Sequence, residues 1–252
     1  MAIREDVLVI GGGLAGSVAA IEAAETGASV RLVTHKKSTL RHASGLIDVL
    51  GYNDGDDPIA DPFAALDDLP EDHPYSVAGA AAVRDGLNRF DEIVGDSYAG
   101  DHTDTNALIP TFSGAVKPTA RYPAATAAGI ASDDRPMLVV GFEEMTEYNG
   151  GMLADHLEAA GVPFDVEGVE CNLPGEYAND SRVTRFAKRL DINENVDYEG
   201  RMLGIREALA NEVEPHLGDA ERVGFPAFLG DDHADEVRND LERYLGVDVF
   251  EI

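Results

Sequence analysis

Residues 7–37 read VLVIGGGLAGSVAAIEAAETGASVRLVTHKK, and the fold follows from how this stretch divides. Residues 6–10 are a short apolar run of the kind that forms a buried parallel strand. Gly11, Gly12 and Gly13 turn it into an Ala-rich helix from about Leu14 to Thr26, closed by Gly27, and residues 29–34 form a second strand. Gly11, Gly13 and Gly16 fit G-x-G-x-x-G. Gly11 permits the tight turn, Gly13 lets the backbone approach a pyrophosphate, and Gly16 lets the helix pack closely on the strands. Backbone N–H groups at Leu14, Ala15 and Gly16, with the helix dipole behind them, favour an anion. Strand, glycine loop, helix and answering strand together make a dinucleotide-type βαβ unit. The second strand ends on Thr34 where such units carry Asp or Glu, and His35, Lys36 and Lys37 follow. Two readings stay open: Lys36 or Lys37 pairs with the 2′-phosphate of NADP, or the adenosine half of the ligand is weakly held or absent.

The charge balance narrows the classes further. Forty-eight Asp and Glu face nineteen Lys and Arg, a formal net of −29. Lysine occurs only at positions 36, 37, 117 and 188, against fifteen arginines. Such a surface resembles that of salt-adapted proteins, whose self-repulsion is screened when the Debye length falls to about 3 Å or less. It excludes nucleic-acid binding, which needs basic surface. The single cysteine, Cys171, excludes an internal disulfide, a Cys-ligated zinc site and an iron–sulfur cluster run; there is no candidate metal site. No stretch of about 18 apolar residues and no signal-peptide pattern is present. The expectation is a soluble cytoplasmic chain, peripheral to the inner face of the membrane only through a partner.

Further along, residues 51–76 are rich in Asp and Pro and read as a surface excursion with one helical turn, and 78–94 read as a helix with Val83, Leu87, Phe90 and Val94 on one face. Prolines break 95–136 into short pieces. A new strand starts at Met137, followed by a helix over 151–160 and a strand over 164–171. Helices are expected over 181–190 and 199–213, a strand over 222–229, a helix over 234–245 and a last strand over 247–252. The fold class is α/β: a Rossmann-like flavin- or dinucleotide-binding domain with a mostly parallel sheet, and a second α/β region. The division expected is 1–136 and 137–252, with the second region stopping in the middle of a core strand.

The stretch STLRHASGLIDVLGY, 38–52, places Ser44 and Gly45 where small residues and backbone N–H groups suit the ring of an aromatic ligand. His42 is the nearest titratable side chain and the candidate general base. Lys117, Arg121 and His73 are further cationic candidates for a phosphorylated substrate.

Taken together, VLVIGGGLAGSVAA, LVTHKKSTLRHASGLIDVLG, HPYS at 73–76, IPTFSGAVKPTARYP at 109–123, NLPG at 172–175, RFAKRLDINEN at 185–195 and GFPAFLG at 224–230 resemble the B subunit of anaerobic glycerol-3-phosphate dehydrogenase, in a salt-adapted version. The resemblance implies a flavoprotein of the group similar to fumarate reductase and succinate dehydrogenase. It implies a complex with a catalytic A subunit and a membrane-associated iron–sulfur C subunit, oxidising sn-glycerol 3-phosphate to dihydroxyacetone phosphate with electrons passed to quinone. The cofactor implied is FMN, with FAD as the alternative; FMN has no second ribose and suits the Thr34-ended strand. Carried over, Gly11, Gly13 and Gly16 lie at the flavin phosphate and Ser44 and Gly45 near the ring. A non-catalytic structural or electron-relay role is the alternative within the same complex. Members of that family are longer, so the chain reads as an N-terminal fragment or a truncated gene product.

Overall fold

The computed structural model describes residues 4–35, 40, 43–52, 57–175, 183–230 and 232–252. The opening unit forms as its sequence dictates: strand β1 (Val7–Ile10), helix α1 (Leu14–Glu25) and strand β2 (Val30–Val33). The two strands are parallel, from Val7 opposite Val30 to Ile10 opposite Val33. Gly11, at φ +116°, makes the turn out of β1. The expectation of a strand buried on both faces is not met. Among the described residues β1 pairs only with β2, and α1 packs against that pair. Leu8 and Ile10, which alternate with Val7 and Val9, are 59% and 81% exposed.

Residues 51–76 contain the expected helical turn, but they do not all lie at the surface. Around a 3₁₀ turn at Ala64–Asp68, Phe63 and Leu66 are buried in a small core with Val49, Leu87 and Ala120. Helix α2 (Pro74–Ala78) and helix α3 (Ala80–Val94) are separated by Gly79 at φ +84°. Short strands follow: β3 (Tyr98–Ala99), β4 (Ala107–Pro110), β5 (Val116–Thr119) and β6 (Tyr122–Pro123), paired antiparallel as β3–β6 and β4–β5.

The second half holds the larger sheet. Strands β7 (Met137–Phe142), β8 (Val166–Cys171), β11 (Arg222–Phe225) and β12 (Asp248–Glu251) are all parallel in the order β12-β11-β7-β8. Side-chain alternation along β7 builds both faces. Met137 and Val139 pack with Leu153 and Leu157 of helix α4 (Gly150–Ala159). Leu138, Val140 and Phe142 pack with helices α5 (Val183–Asp191), α6 (Ile205–Val213) and α7 (Ala234–Leu245).

The helix expected over 199–213 begins only at Ile205. Before it comes a hairpin of β9 (Asn195–Tyr198) and β10 (Arg201–Gly204). Its turn residues Glu199 and Gly200 have φ +51° and +79°, the left-handed pair that a two-residue hairpin turn requires. Gly200 and Gly204 each oppose a helix by about 1 kcal/mol, and that is the signal the helical reading overlooks.

Arg222 is fully buried and fixes the irregular segment 128–135 to the sheet. Its Nε donates to Arg135 O at 3.0 Å, Nη1 to Ala128 O and Ile130 O at 3.0 and 2.9 Å, and Nη2 to Asp133 O at 2.7 Å. The guanidinium lies over the Phe164 ring, 4.3 Å from its centroid. Hydrogen bonding from Arg135 holds the Asp133 carboxyl down to about 2, so negative charge stays beside this clamp at any ordinary pH. Removing the guanidinium strands several buried carbonyls at once. Arg222→Met should therefore lose about 3 kcal/mol or more in denaturant unfolding. Arg243→Met, at a side chain 64% exposed, should stay within about 0.5 kcal/mol of the parent.

Candidate functional site

Two βαβ units in this chain start their helices with glycines, and they treat the helix N-terminus differently. In α1 the N-cap is Gly13, with no side-chain cap and no acidic residue in the first turn. The helix starts with Ser17 N donating to Gly13 O at 2.9 Å, so the N–H groups of Leu14, Ala15 and Gly16 have no acceptor within the helix. Gly11 N donates to Val33 O at 2.8 Å and pins the loop to β2. A Cβ on Gly16 would lie 1.9 Å from Gly11 O, so the loop closes over the helix only with glycine there. Thr34, at the end of β2, sits beside the loop, its Cβ 3.4 Å from where a Cβ on Gly12 would be.

In α4 the same position is already filled. Asn149 Oδ1 accepts from Met152 N at 2.7 Å, and Glu170 Oε1, from the end of β8, accepts from Gly150 N at 2.6 Å. An internal carboxylate thus takes the place an external anion would need. Among the described residues no side chain caps the first helix, and the second is closed by its own side chains.

The second half of the site is the segment 44–49. Ile47 bridges Arg121 antiparallel, with Ile47 N donating to Arg121 O at 2.8 Å and Arg121 N to Ile47 O at 3.0 Å. Gly45 has φ +79°, and a Cβ there would lie 2.9 Å from Pro123 Cγ. Ser44 Oγ accepts from Leu46 N at 3.3 Å. This strap and α1 share a groove of about 360 Å³, whose floor and walls include Leu14 and Val18 of α1, Ile47 and Val49 of the strap, and Gly86 and Phe90 of α3. The groove is mostly apolar and begins at the first residue of α1. It suits a ligand with a phosphate at one end and a flat apolar ring beside it.

Of the cofactor-site residues singled out in the sequence, Leu14 lines this groove; Ser44 and Gly45 lie on the strap ahead of its lining residues Ile47, Asp48 and Val49, and Gly11, Gly13, Ala15, Gly16 and Thr34 are not among the lining residues. Lys36, Lys37 and His42 lie outside the described residues. The other cationic candidates have structural partners. Lys117 Nζ is 2.5 Å from Asp48 Oδ2. His73 Nδ1 accepts from Tyr75 N to cap α2. Arg121 is buried and bonded to Asp91 and to the carbonyls of Gly100 and Ala120. Sequence reasoning misses the groove wall on α3. Its signal is the spacing of Ala82, Gly86 and Phe90, four residues apart on one helical face.

Cys171 is no redox centre. It is buried at the end of β8, and burial, with Glu212 and Glu170 nearby, pushes its thiol up to about 12.

The model of the FAD binding domain family matches residues 6–252. The chain is 54% identical over its whole length to a protein of Halobacterium salinarum described as a probable B subunit of anaerobic glycerol-3-phosphate dehydrogenase, and covers 59% of it. It is 29% identical to the B subunit of anaerobic glycerol-3-phosphate dehydrogenase of Pectobacterium atrosepticum, over 98% of this chain and 59% of that protein. For the same subunit of Yersinia enterocolitica the identity is 29%, over 92% of this chain and 55% of the relative. The chain thus spans somewhat more than half the length of the relatives it matches. No solved structure matches it.

Two outcomes follow from this geometry. A side chain at Gly86 points into open space, so Gly86→Leu should leave folding intact, with helix propensity improved by up to about 1 kcal/mol, yet weaken flavin binding about tenfold or more by filling the groove; fluorescence titration reads this directly. The Cys171 thiol should resist iodoacetamide at pH 8 in the native chain and react after unfolding, as peptide mass spectrometry would show.

Proposed function

The chain belongs to the FAD binding domain family, and on that premise we propose that it is the flavin-carrying part of the B subunit of an anaerobic glycerol-3-phosphate dehydrogenase. The observation that carries this is the 54% identity to the Halobacterium salinarum protein across the whole chain, together with an α1 N-terminus left open for a ligand phosphate. The cofactor proposed is FAD. The absence of an acid after β2 favours FMN, but the family matched is one of FAD-binding domains. Thr34 brings a hydroxyl to the loop, and a hydroxyl can still serve one ribose oxygen. The NADP reading of Lys36 and Lys37 loses its ground to the same match.

Flavin, when bound, supplies hydride acceptance and one-electron transfer. This chain's residues supply its seat. Gly11, Gly13, Leu14, Ala15 and Gly16 present backbone donors to the phosphates, and Ser44 and Gly45 border the ring. Leu14, Val18, Ile47, Val49 and Phe90 keep the groove apolar and limit water. His42 is the general base proposed for the substrate hydroxyl, and Lys36 the cation proposed for the phosphates. Residues 1–136 carry this seat and 137–252 the second α/β region.

The reaction proposed for the complex is oxidation of sn-glycerol 3-phosphate to dihydroxyacetone phosphate, with electrons leaving through an iron–sulfur partner toward quinone. The one cysteine among these 252 residues is buried and cannot ligate a cluster alone, so a Cys-ligated cluster of the complex lies outside this stretch of chain. No helix among the described residues is long and apolar enough to cross a membrane, and contact with the membrane is proposed to run through that partner. A relay role without turnover is the second reading. It is favoured by the engagement of Asp48, the carboxylate lining the groove, with Lys117.

Flavin released from the purified protein by denaturation should chromatograph as FAD; FMN alone, or colourless protein unable to take up FAD, would contradict the cofactor proposed. Assay of the catalytic partner with and without this chain separates the two roles. Turnover that needs this chain supports catalysis here, and full turnover by the catalytic partner alone supports the relay.

A further inference from the structure

The described residues pair most of their positive charge. Among the described residues, the basic side chains with no carboxylate partner are Arg4, Arg185, Lys188 and Arg201. Two of the four, Arg185 and Lys188, stand three residues apart on α5, and Arg201 begins β10. With 48 acidic residues against 19 basic ones, leaving these cations together and unneutralised is unexpected for an ordinary solvated surface.

Arg185 and Lys188 line a concavity. A groove of about 940 Å³ lies between α5 and the β9–β10 hairpin, and its lining includes Arg185, Lys188, Arg189, Asn195, Asp197 and Met202. The charges that could neutralise the two cations are used elsewhere. Glu194, also in the lining, is engaged by Arg189 Nε at 2.6 Å. Asp197 Oδ1 accepts from Gly200 N at 2.9 Å inside the hairpin turn. The opposite face of α5 is fixed, with Phe186, Ala187 and Leu190 buried in the main core, so the cationic face has a rigid base.

We propose that this groove binds the phosphate group of a small phosphomonoester, with Arg185 and Lys188 as its cationic ligands and Asn195 beside them. A phosphomonoester dianion matches two unpaired cations, and the guanidinium fork of Arg185 suits bidentate contact with phosphate oxygens. The remaining lining of amide, engaged carboxylates and thioether suits a small polar remainder. A concave groove excludes a flat bilayer surface as the occupant. None of its lining residues belongs to the glycine loop or the α1–α3 groove, so the proposal does not depend on the flavin reading.

Lys188 supplies the test, because the chain has four lysines and Lys117 is an internal control already paired with Asp48. The intact chain is acetylated at limiting reagent with inorganic phosphate, sn-glycerol 3-phosphate, glycerol, or phosphatidylglycerol vesicles present, and modification is read at each lysine by mass spectrometry. Either soluble phosphate should slow labelling of Lys188 several-fold while Lys117 is unchanged and glycerol has no effect. Calorimetric titration with sn-glycerol 3-phosphate should show affinity falling about tenfold or more for each cation removed in Arg185→Gln and Lys188→Gln. Both side chains are exposed, so circular dichroism should be unchanged. Equal labelling of Lys188 in all conditions, protection by vesicles alone, or unchanged affinity in the double variant would overturn the proposal.

Discussion

The buried Arg121 guanidinium is the contact on which the candidate site depends. It is 5% exposed and reaches three segments at once. Nε and Nη2 grip both oxygens of Asp91 on α3 at 2.8 and 2.9 Å, and Nη1 donates to Gly100 O and Ala120 O. Its own backbone pairs with Ile47, which holds the 44–49 strap. One wall of the groove, the strap beside it and the turn after β3 are therefore tied to a single cation. Separating them would leave a buried charge unpaired, which costs several kcal/mol. On the other side, Arg89 of α3 engages Glu22 and Glu25 of α1, bringing the helix that carries the glycine loop against the same wall.

The same economy runs through the rest of the molecule. Arg206 is buried and divides its donors among Glu236, Asp240 and the carbonyls of Leu190 and Asp191. Arg222 clamps the 128–135 segment. A guanidinium offers five donors in a fixed plane, and a lysine ammonium offers three on a flexible stem. A chain with fifteen arginines and four lysines uses this difference internally: its acidic excess faces solvent, while its cations cross-link backbone that no regular strand or helix satisfies. Against that background an unpaired Arg and Lys on one face of α5 stand apart.

The parts legible in the sequence are those set by local pattern. The strand–glycine–helix order of residues 7–34, the parallel sheet of 137–252 and most helix positions follow from periodicity and turn chemistry. The hairpin at 195–204 is misread as partly helical because its composition outweighs Glu199-Gly200, although that pair fixes a tight turn. The groove is not legible because it is assembled across distance. Ile47 meets Arg121, Asp48 meets Lys117, and Leu14 comes to line one groove with Phe90 only after folding. Arg121 and Lys117 look like free cations for a substrate, since sequence shows a charge but not the partner that consumes it. The open α1 and the filled α4 also look alike in sequence, both glycine-rich at the start, until Glu170 is seen at the second helix.

Binding of FAD at the glycine loop and the α1–α3 groove is tested most directly by hydrogen–deuterium exchange of the chain with and without FAD. Slower exchange should be confined to peptides covering residues 11–18, 44–50 and 82–90, with α4 and its Glu170-capped start unchanged. FAD-induced protection at 141–152 instead, or none at 11–18, would contradict the assignment of the open α1 N-terminus as the cofactor's phosphate seat.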